Sequence, residues 1–138
     1  MSKHVLVAGK VHEAGLALLR ARTGITVDLV EAVTTESYRP FLSTADAILI
    51  RTQPMTVHEI ALAPRLQIVS RHGVGYDAVD VTALNARGIP LAIVGDVNSR
   101  AVAEHTLMLM LAAARRTVAH HTAATTGHWN ERNRFDAV

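Results

Sequence analysis

Cysteine is absent from this 138-residue sequence, and aromatic residues make up only 4% of it. The absence of cysteine excludes a disulfide scaffold, a thiolate zinc site and a cysteine nucleophile. Lysine is also scarce, because Lys3 and Lys10 are the only two lysines among the 14 basic residues. The arginines are scattered and the formal net charge is +2, so no basic stripe indicates nucleic-acid binding.

Long hydrophobic runs are also lacking. The longest, Leu107 to Ala114, is far shorter than the roughly 18 residues needed to span a bilayer. The run near the N-terminus, Val5 to Ala8, is shorter than the about 7–15 apolar residues of a signal peptide. We therefore expect a soluble, cytoplasmic protein without membrane contacts.

Short β-rich runs alternate with helical patterns along the chain. Thr56 and Glu59 form a capping box at one helix start, and Asp80 is the predicted N-cap of another. The predicted strands cover residues 4–9, 25–30, 47–50, 66–70 and 89–94, and the shorter predicted helices cover residues 12–22, 56–62 and 80–88. This alternation predicts an α/β fold whose parallel sheet has helices on both faces.

A long final helix is predicted from about Asn98, with Asn98 or Ser99 as its N-cap. Its segment from Leu107 to Ala114 is apolar on all sides, which is typical of a helix buried on several sides. If nothing else covers it, we expect the chain to dimerise or aggregate.

The residues after the predicted strands point to an anionic ligand, because ligands of parallel α/β sheets bind at the carboxyl ends of the strands. These residues are Gly9-Lys10, Arg51-Thr52, Arg71-His72-Gly73 and Gly95-Asp96.

The loop Gly73 to Ala78 fits the pattern G-x-G-x-x-A after a strand, and Asp96 ends the next strand. This spacing matches a dinucleotide-binding fingerprint. However, Asp80 is the better N-cap, so the helix would not open at the glycines, where it would face a pyrophosphate. The loop is therefore interpreted either as a tight turn or as a dinucleotide site.

A family resemblance rests on an ordered set of motifs. These are Arg71 to Asp80, Ala86 to Pro90 and Asn98 to His105, together with Ile50-Arg51-Thr52, Ala63 to Leu66 and Gly127-His128-Trp129. Together they resemble the NAD-dependent D-2-hydroxyacid dehydrogenases, which include the phosphoglycerate dehydrogenases. The similarity covers nearly the whole chain.

The resemblance implies a flavodoxin-like substrate domain over residues 1–97, with an open parallel five-stranded sheet and flanking helices. It implies a long interdomain helix over residues 98–119 and a linker over residues 120–138, leading to a nucleotide-binding domain. The family's nucleotide loop and its catalytic Arg, Glu and His would lie beyond Val138. The resemblance thus implies no catalytic residue in this chain, no tight binding of NAD or NADP, and no activity of the chain alone.

The resemblance also assigns substrate-binding roles. The backbone N–H groups of Val74 and Gly75 would hold the carboxylate of a small 2-hydroxy or 2-oxo acid, and Arg51 would add a charged contact. Asn98 would donate from its amide near the substrate, and Val102 would pack near the nicotinamide ring of the cofactor. The alternatives are that Arg51 is a solvated charge and that Asn98 is only an N-cap.

Two departures from the family pattern concern the substrate. Pro54-Met55 and Ala78 replace more polar residues, which weakens the case for 3-phosphoglycerate but not for a 2-hydroxy acid. No metal site is predicted, because His120, His121 and His128 lack a ligand-like spacing. Alternative functions are a non-catalytic dimerising or carboxylate-binding module, and a small dinucleotide binder using the loop at Gly73.

Overall fold

The structure is a computed structural model that describes residues 2–128 and residue 130. The chain divides into two compact units, Met1–Gly95 and Asp96–Val138. No helix within the described residues is long and apolar enough to cross a membrane.

The first unit is a five-stranded sheet with the strand order β2-β1-β3-β4-β5, in which every neighbouring pair is parallel. This is the flavodoxin-like order, and it confirms the predicted fold class. The strands are β1 Lys3–Ala8, β2 Ile25–Val30, β3 Ala47–Ile50, β4 Ile68–Arg71 and β5 Leu91–Ile93. The helices are α1 Glu13–Arg20, α2 Thr35–Tyr38, α3 Val57–Ala61 and α4 Val81–Ala86.

The sheet has one apolar cluster on each face, as the two-residue repeat of a strand requires. Val5 and Val7 of β1 pack with Leu16 of α1 on one face. On the other face Leu6 belongs to the larger cluster, which also contains Tyr38 of α2, Ile60 of α3 and Leu84 of α4. Burial on both faces explains why the strands are short, continuous apolar runs.

The predicted helix caps are confirmed. Thr56 and Glu59 form the capping box of α3, and the Asp80 side chain accepts a hydrogen bond from the backbone N–H of Ala83 in α4. The short helix α2 and the 3₁₀ turn Arg39–Phe41 that follows it were not predicted. The buried Tyr38 anchors this segment to the core, a long-range contact without a local signal.

The second unit contains α5, Ser99–Ala114, and α6, Thr117–Thr125. The prediction of one continuous helix over residues 98–119 is therefore wrong. Arg116 has a left-handed backbone conformation with φ of 47°, which interrupts the helical hydrogen bonding. The predicted linker over residues 120–138 is also wrong up to Thr125, which ends α6.

Candidate functional site

The four adjacent strands β1, β3, β4 and β5 end side by side at the carboxyl edge of the sheet. Their register pairs Ala8 with Ile50, Ile50 with Arg71, and Arg71 with Ile93. The loops after β1, β3, β4 and β5 therefore lie next to one another, as the sequence analysis expected of a ligand-binding edge.

The loop after β4, residues 72–80, carries the two glycines of the motif. At its start, the backbone N–H of His72 donates to the carbonyl oxygen of Ile50 at 2.8 Å. The carbonyl oxygen of Gly73 then accepts a hydrogen bond from Val94 at 3.2 Å. These contacts attach the first half of the loop to β3 and to the end of β5.

The far end of the same loop is attached to Met55. Its backbone N–H donates to Ala78 at 2.8 Å, and its carbonyl oxygen accepts from Asp80 at 2.9 Å. Met55 and Val79 thus form an isolated parallel bridge outside the main strands. The loop is held at both ends, and its middle, Val74 and Gly75, lies between these attachments.

The backbone N–H groups of Val74 and Gly75 have no hydrogen-bond acceptor among residues 2–128 and 130. Both residues are exposed. Successive amides at a glycine turn form an anion-binding concavity without needing a charged side chain. The structure thus provides two donors at the position where the resemblance places the substrate carboxylate.

The glycines of this loop differ in how much space surrounds them. A Cβ atom added to Gly73 would lie 2.8 Å from Nη1 of Arg71, whose guanidinium group packs against it. A Cβ atom added to Gly75 would meet only Oδ2 of Asp77, at 3.6 Å. Gly75 therefore tolerates alanine, whereas Gly73 would require Arg71 to move.

Arg51 directly follows β3 and is exposed. Its backbone N–H donates to Ala8 at 3.0 Å, and its Nη1 donates to the carbonyl oxygen of Lys10 at 3.3 Å. This contact uses one of the five guanidinium N–H groups, so the others can donate to an anion. Because β3 and β4 are neighbours, the structure brings Arg51 and the glycine loop to adjacent strand ends.

A buried residue in the turn after β3, Gln53, was missed by the sequence analysis. Only 2% of it is exposed, although it lies between polar residues at the end of a strand. A glutamine in a polar stretch has no periodicity that predicts burial, so no sequence signal could have identified it.

The buried side chain of Tyr38 also contacts the turn after β3. The Tyr38 hydroxyl donates to the carbonyl oxygen of Pro54. Burial, followed by the nearby charge of Glu59, raises the pKa of Tyr38 above its ordinary value, so the hydroxyl keeps its proton for this bond. Met55, the next residue, is completely buried. Pro54 and Met55 both have apolar side chains, so neither offers a polar group to a phosphate.

Asn98 and Val102 lie in the second unit, one helical turn apart. Asn98 occupies the N-cap position of α5, but its side chain makes no capping hydrogen bond. Its amide therefore remains available as a donor. Val102 is 56% exposed.

The loop does not fit the pyrophosphate of a dinucleotide. Helix α4 begins at Val81, with Asp80 as its capping residue, and it is only six residues long. The glycines precede this helix by several residues, so its N-terminus does not open onto them, as a Rossmann fingerprint requires. Among the described residues no group of three His, Cys, Asp or Glu side chains could hold a metal ion. Trp129 lies outside the described residues.

Comparison with known proteins identifies the family. The profile of the D-isomer specific 2-hydroxyacid dehydrogenase catalytic domain matches residues 5–135. The D-3-phosphoglycerate dehydrogenase of Mycobacterium leprae is 36% identical over 135 residues, which cover 97% of this chain and 25% of that protein. The enzyme of the same name from Archaeoglobus fulgidus is 33% identical, with the same coverage.

A solved structure agrees with this assignment. The NAD-dependent formate dehydrogenase of Staphylococcus aureus, solved in complex with NAD, is 26% identical with a TM-score of 0.80, and the match covers 94% of this chain and 44% of that one. The chain spans about a quarter of the length of the two D-3-phosphoglycerate dehydrogenases. It belongs to the D-isomer specific 2-hydroxyacid dehydrogenase family.

Proposed function

We propose that this chain is the substrate-binding part of an NAD-dependent oxidoreductase that acts on the CH–OH group of D-2-hydroxy acids. The observation that carries the proposal is the pair of unpaired amides of the exposed residues Val74 and Gly75, in a loop fixed at both ends. Two such donors match the two oxygens of a carboxylate. Fixing the carboxylate also fixes where the adjacent C2 carbon of the substrate lies.

Arg51 adds a charge-assisted hydrogen bond in this proposal, either to the carboxylate or to a distal anionic group of the substrate. The family resemblance further assigns the Asn98 amide as a donor to the substrate and Val102 as an apolar contact for the nicotinamide ring. We propose that residues 1–97 form the substrate domain and that the following helical segment is the interdomain connection. The substrate is a 2-hydroxy or 2-oxo acid, and the case for 3-phosphoglycerate is weakened because Pro54 and Met55 present no polar group to a phosphate.

The carboxylate site is tested by titrating the ¹⁵N-labelled chain with pyruvate and, as an uncharged control, lactamide. We expect pyruvate, but not lactamide, to shift the amide resonances of Val74 and Gly75. Gly75→Pro removes one donor, whereas Gly75→Ala keeps it and fits the space available. We expect Gly75→Pro to lose pyruvate binding and Gly75→Ala to keep it. Equal binding by the two variants, at matched stability, would refute the site.

We further propose that the chain alone neither binds NADH nor turns over substrate. The support is the glycine loop, which does not fit a pyrophosphate, together with the family resemblance, which places the catalytic histidine, arginine and glutamate on other segments. We expect calorimetry of the 138-residue chain with NADH to show no binding. Micromolar affinity would overturn this proposal and would favour the dinucleotide interpretation of the loop at Gly73.

A homodimer is a separate proposal, favoured by the exposed apolar side chains of α5. Leu107, Met108, Leu109, Met110 and Leu111 are each at least half exposed. A second copy of the chain would cover them, and a non-catalytic dimerising module would show the same association without binding pyruvate.

A further inference from the structure

Gln53 joins three loops at the carboxyl edge of the sheet. Its Nε2 donates to the carbonyl oxygen of Ala32, after β2, at 3.0 Å. Its Oε1 accepts a hydrogen bond from the backbone N–H of Thr52, in the turn that carries Arg51, at 3.1 Å. Because Gln53 is buried and both ends of its amide are engaged, the side chain has one defined orientation.

The third loop is the one after β1, where Gly9 packs against the same turn. Gly9 has φ of +107°, and an added Cβ atom would lie 2.8 Å from Cβ of Arg51 and 3.2 Å from Oε1 of Gln53. The backbone of Gly9 is thus in close contact with Arg51 and with the Gln53 amide together. Gly9 thus lies against the first side-chain carbon of Arg51, in the turn that Gln53 holds.

We propose that Gln53 is a positioning residue of the anion site, which acts by fixing the turn from which Arg51 extends. This inference rests on the proposed function, since it concerns the same site. A turn held in one conformation lets Arg51 meet an anion without first losing backbone freedom. Gln53 itself is buried and does not contact the substrate.

Two variants separate the hydrogen bonds of Gln53 from its packing. Gln53→Met retains the length of the side chain and loses both hydrogen bonds. Gln53→Glu retains an acceptor for the Thr52 amide but places a carboxylate oxygen against the carbonyl of Ala32. Ile60→Val, at a core residue of α3, is the control for a general loss of stability.

The first test measures pyruvate affinity by NMR titration in the wild type, Gln53→Met, Arg51→Met and the double variant. We expect Gln53→Met to weaken binding about three- to tenfold, because binding must then also order the Arg51 side chain, which costs about as much as immobilising one long side chain. In the Arg51→Met background we expect almost no further loss, because Gln53 acts through Arg51. The same factor in both backgrounds, or no loss in the wild-type background, would overturn the proposal. Ile60→Val should not change the affinity.

The second test needs no ligand and uses hydrogen exchange together with the nuclear Overhauser contact between Gly9 and the β protons of Arg51. In Gln53→Met we expect faster exchange of the Thr52 amide and loss of this contact, with unchanged exchange at Val69 in the core. Gln53→Glu should retain part of the Thr52 protection, and it replaces Gln53→Met if that variant does not fold. If the wild type binds no pyruvate, the proposed function fails, and this second test alone decides the positioning role. Unchanged Thr52 exchange and an intact Gly9–Arg51 contact would refute it.

Discussion

Glu59 is the most completely buried acidic residue among those the structure describes, with 1% of its surface exposed. Its carboxylate accepts hydrogen bonds from Nη2 of Arg39 at 2.7 Å and from the backbone N–H of Thr56 at 3.1 Å. Burial by itself would raise the pKa of Glu59, but the hydrogen bonds from Thr56 and Arg39 outweigh it and lower the pKa to about 2. A buried charge of this kind is tolerated only because its partners satisfy it.

The lowered pKa of Glu59 makes the stability of the chain dependent on acid pH. Its contribution is fully present above the ordinary pKa of 4.5 and is lost as pH falls through that value toward about 2. We expect Glu59→Gln to lower the free energy of unfolding by about 1–3 kcal/mol at neutral pH, because Arg39 loses its charged partner. We expect the variant to lose less stability than the wild type on acidification.

Urea unfolding at neutral pH and at several acid pH values measures both effects. Asp46, whose pKa is lowered chiefly by the backbone N–H of His4, also titrates in the acid range, so some pH dependence remains in Glu59→Gln. An identical loss of stability on acidification in wild type and variant would contradict the role assigned to Glu59.

At the scale of elements, Arg87 links the end of α3 to the end of α4. Its Nη2 donates to the carbonyl oxygen of Ala63 at 2.9 Å, and its Nη1 donates to that of Ile60. Ile60 lies in the last turn of α3 and Ala63 lies just beyond it, and each carbonyl oxygen also accepts a backbone N–H, from Ala63 and from Leu66 respectively, at 3.2 Å. Arg87 therefore caps the end of α3 with an additional, charged donor from a distant part of the sequence.

We expect Arg87→Met to lower the free energy of unfolding by about 1–3 kcal/mol, since it removes the hydrogen bonds that a charged donor makes to these carbonyl groups. Arg20→Met is the matched control, because Arg20 pairs with Glu13 across an exposed surface of α1. Such a surface pair contributes about 0–1 kcal/mol. Equal effects of the two substitutions in chemical denaturation would show that Arg87 has no capping role.

These elements also show how far sequence alone can predict the structure. The capping residues Thr56 and Asp80 act on neighbouring residues, so both helix starts followed from a local pattern. The break at Arg116 did not, because no glycine or proline marks the turn between α5 and α6. Left-handed backbone at an arginine is set by its surroundings rather than by intrinsic preference.

In the candidate site, too, some features were predicted from the sequence and others were not. The residues Arg51, Val74 and Gly75 were predicted, because they lie in motifs that resemble a family pattern. The contacts that hold them were not predicted. The bridge between Met55 and Val79 joins residues far apart in sequence. The burial of Gln53 also depends on three separate loops meeting, and no single stretch of sequence encodes such contacts.

At the scale of the whole molecule, the chain path explains why the loops of the site meet. From β1 the chain moves to β2 at one edge of the sheet, then returns past β1 and continues through β3, β4 and β5. Right-handed crossovers place the helix of the first step on one face and the helices of the later steps on the other. The two apolar clusters agree with this, because α1 packs in the smaller cluster on one face and α2, α3 and α4 pack in the larger cluster on the other face. Because all the strands are parallel, every loop that follows a strand lies at the carboxyl end of the sheet.

The exposed apolar surface of α5 gives the prediction for the molecule in solution. Leu107 and Leu111 lie one turn apart on this helix and are 60% and 67% exposed. Water contact with so many large apolar side chains is unfavourable, so we expect wild-type chains to associate as dimers at micromolar concentration. The double variant Leu107→Asn with Leu111→Asn should shift sedimentation toward monomer. Leu18→Asn makes the same chemical change at a residue of α1 that is 73% exposed, and it should leave the association unchanged. A wild-type chain that sediments as a monomer and binds no hydrophobic dye would contradict the proposed dimer, because its apolar surface would then be covered within a single chain.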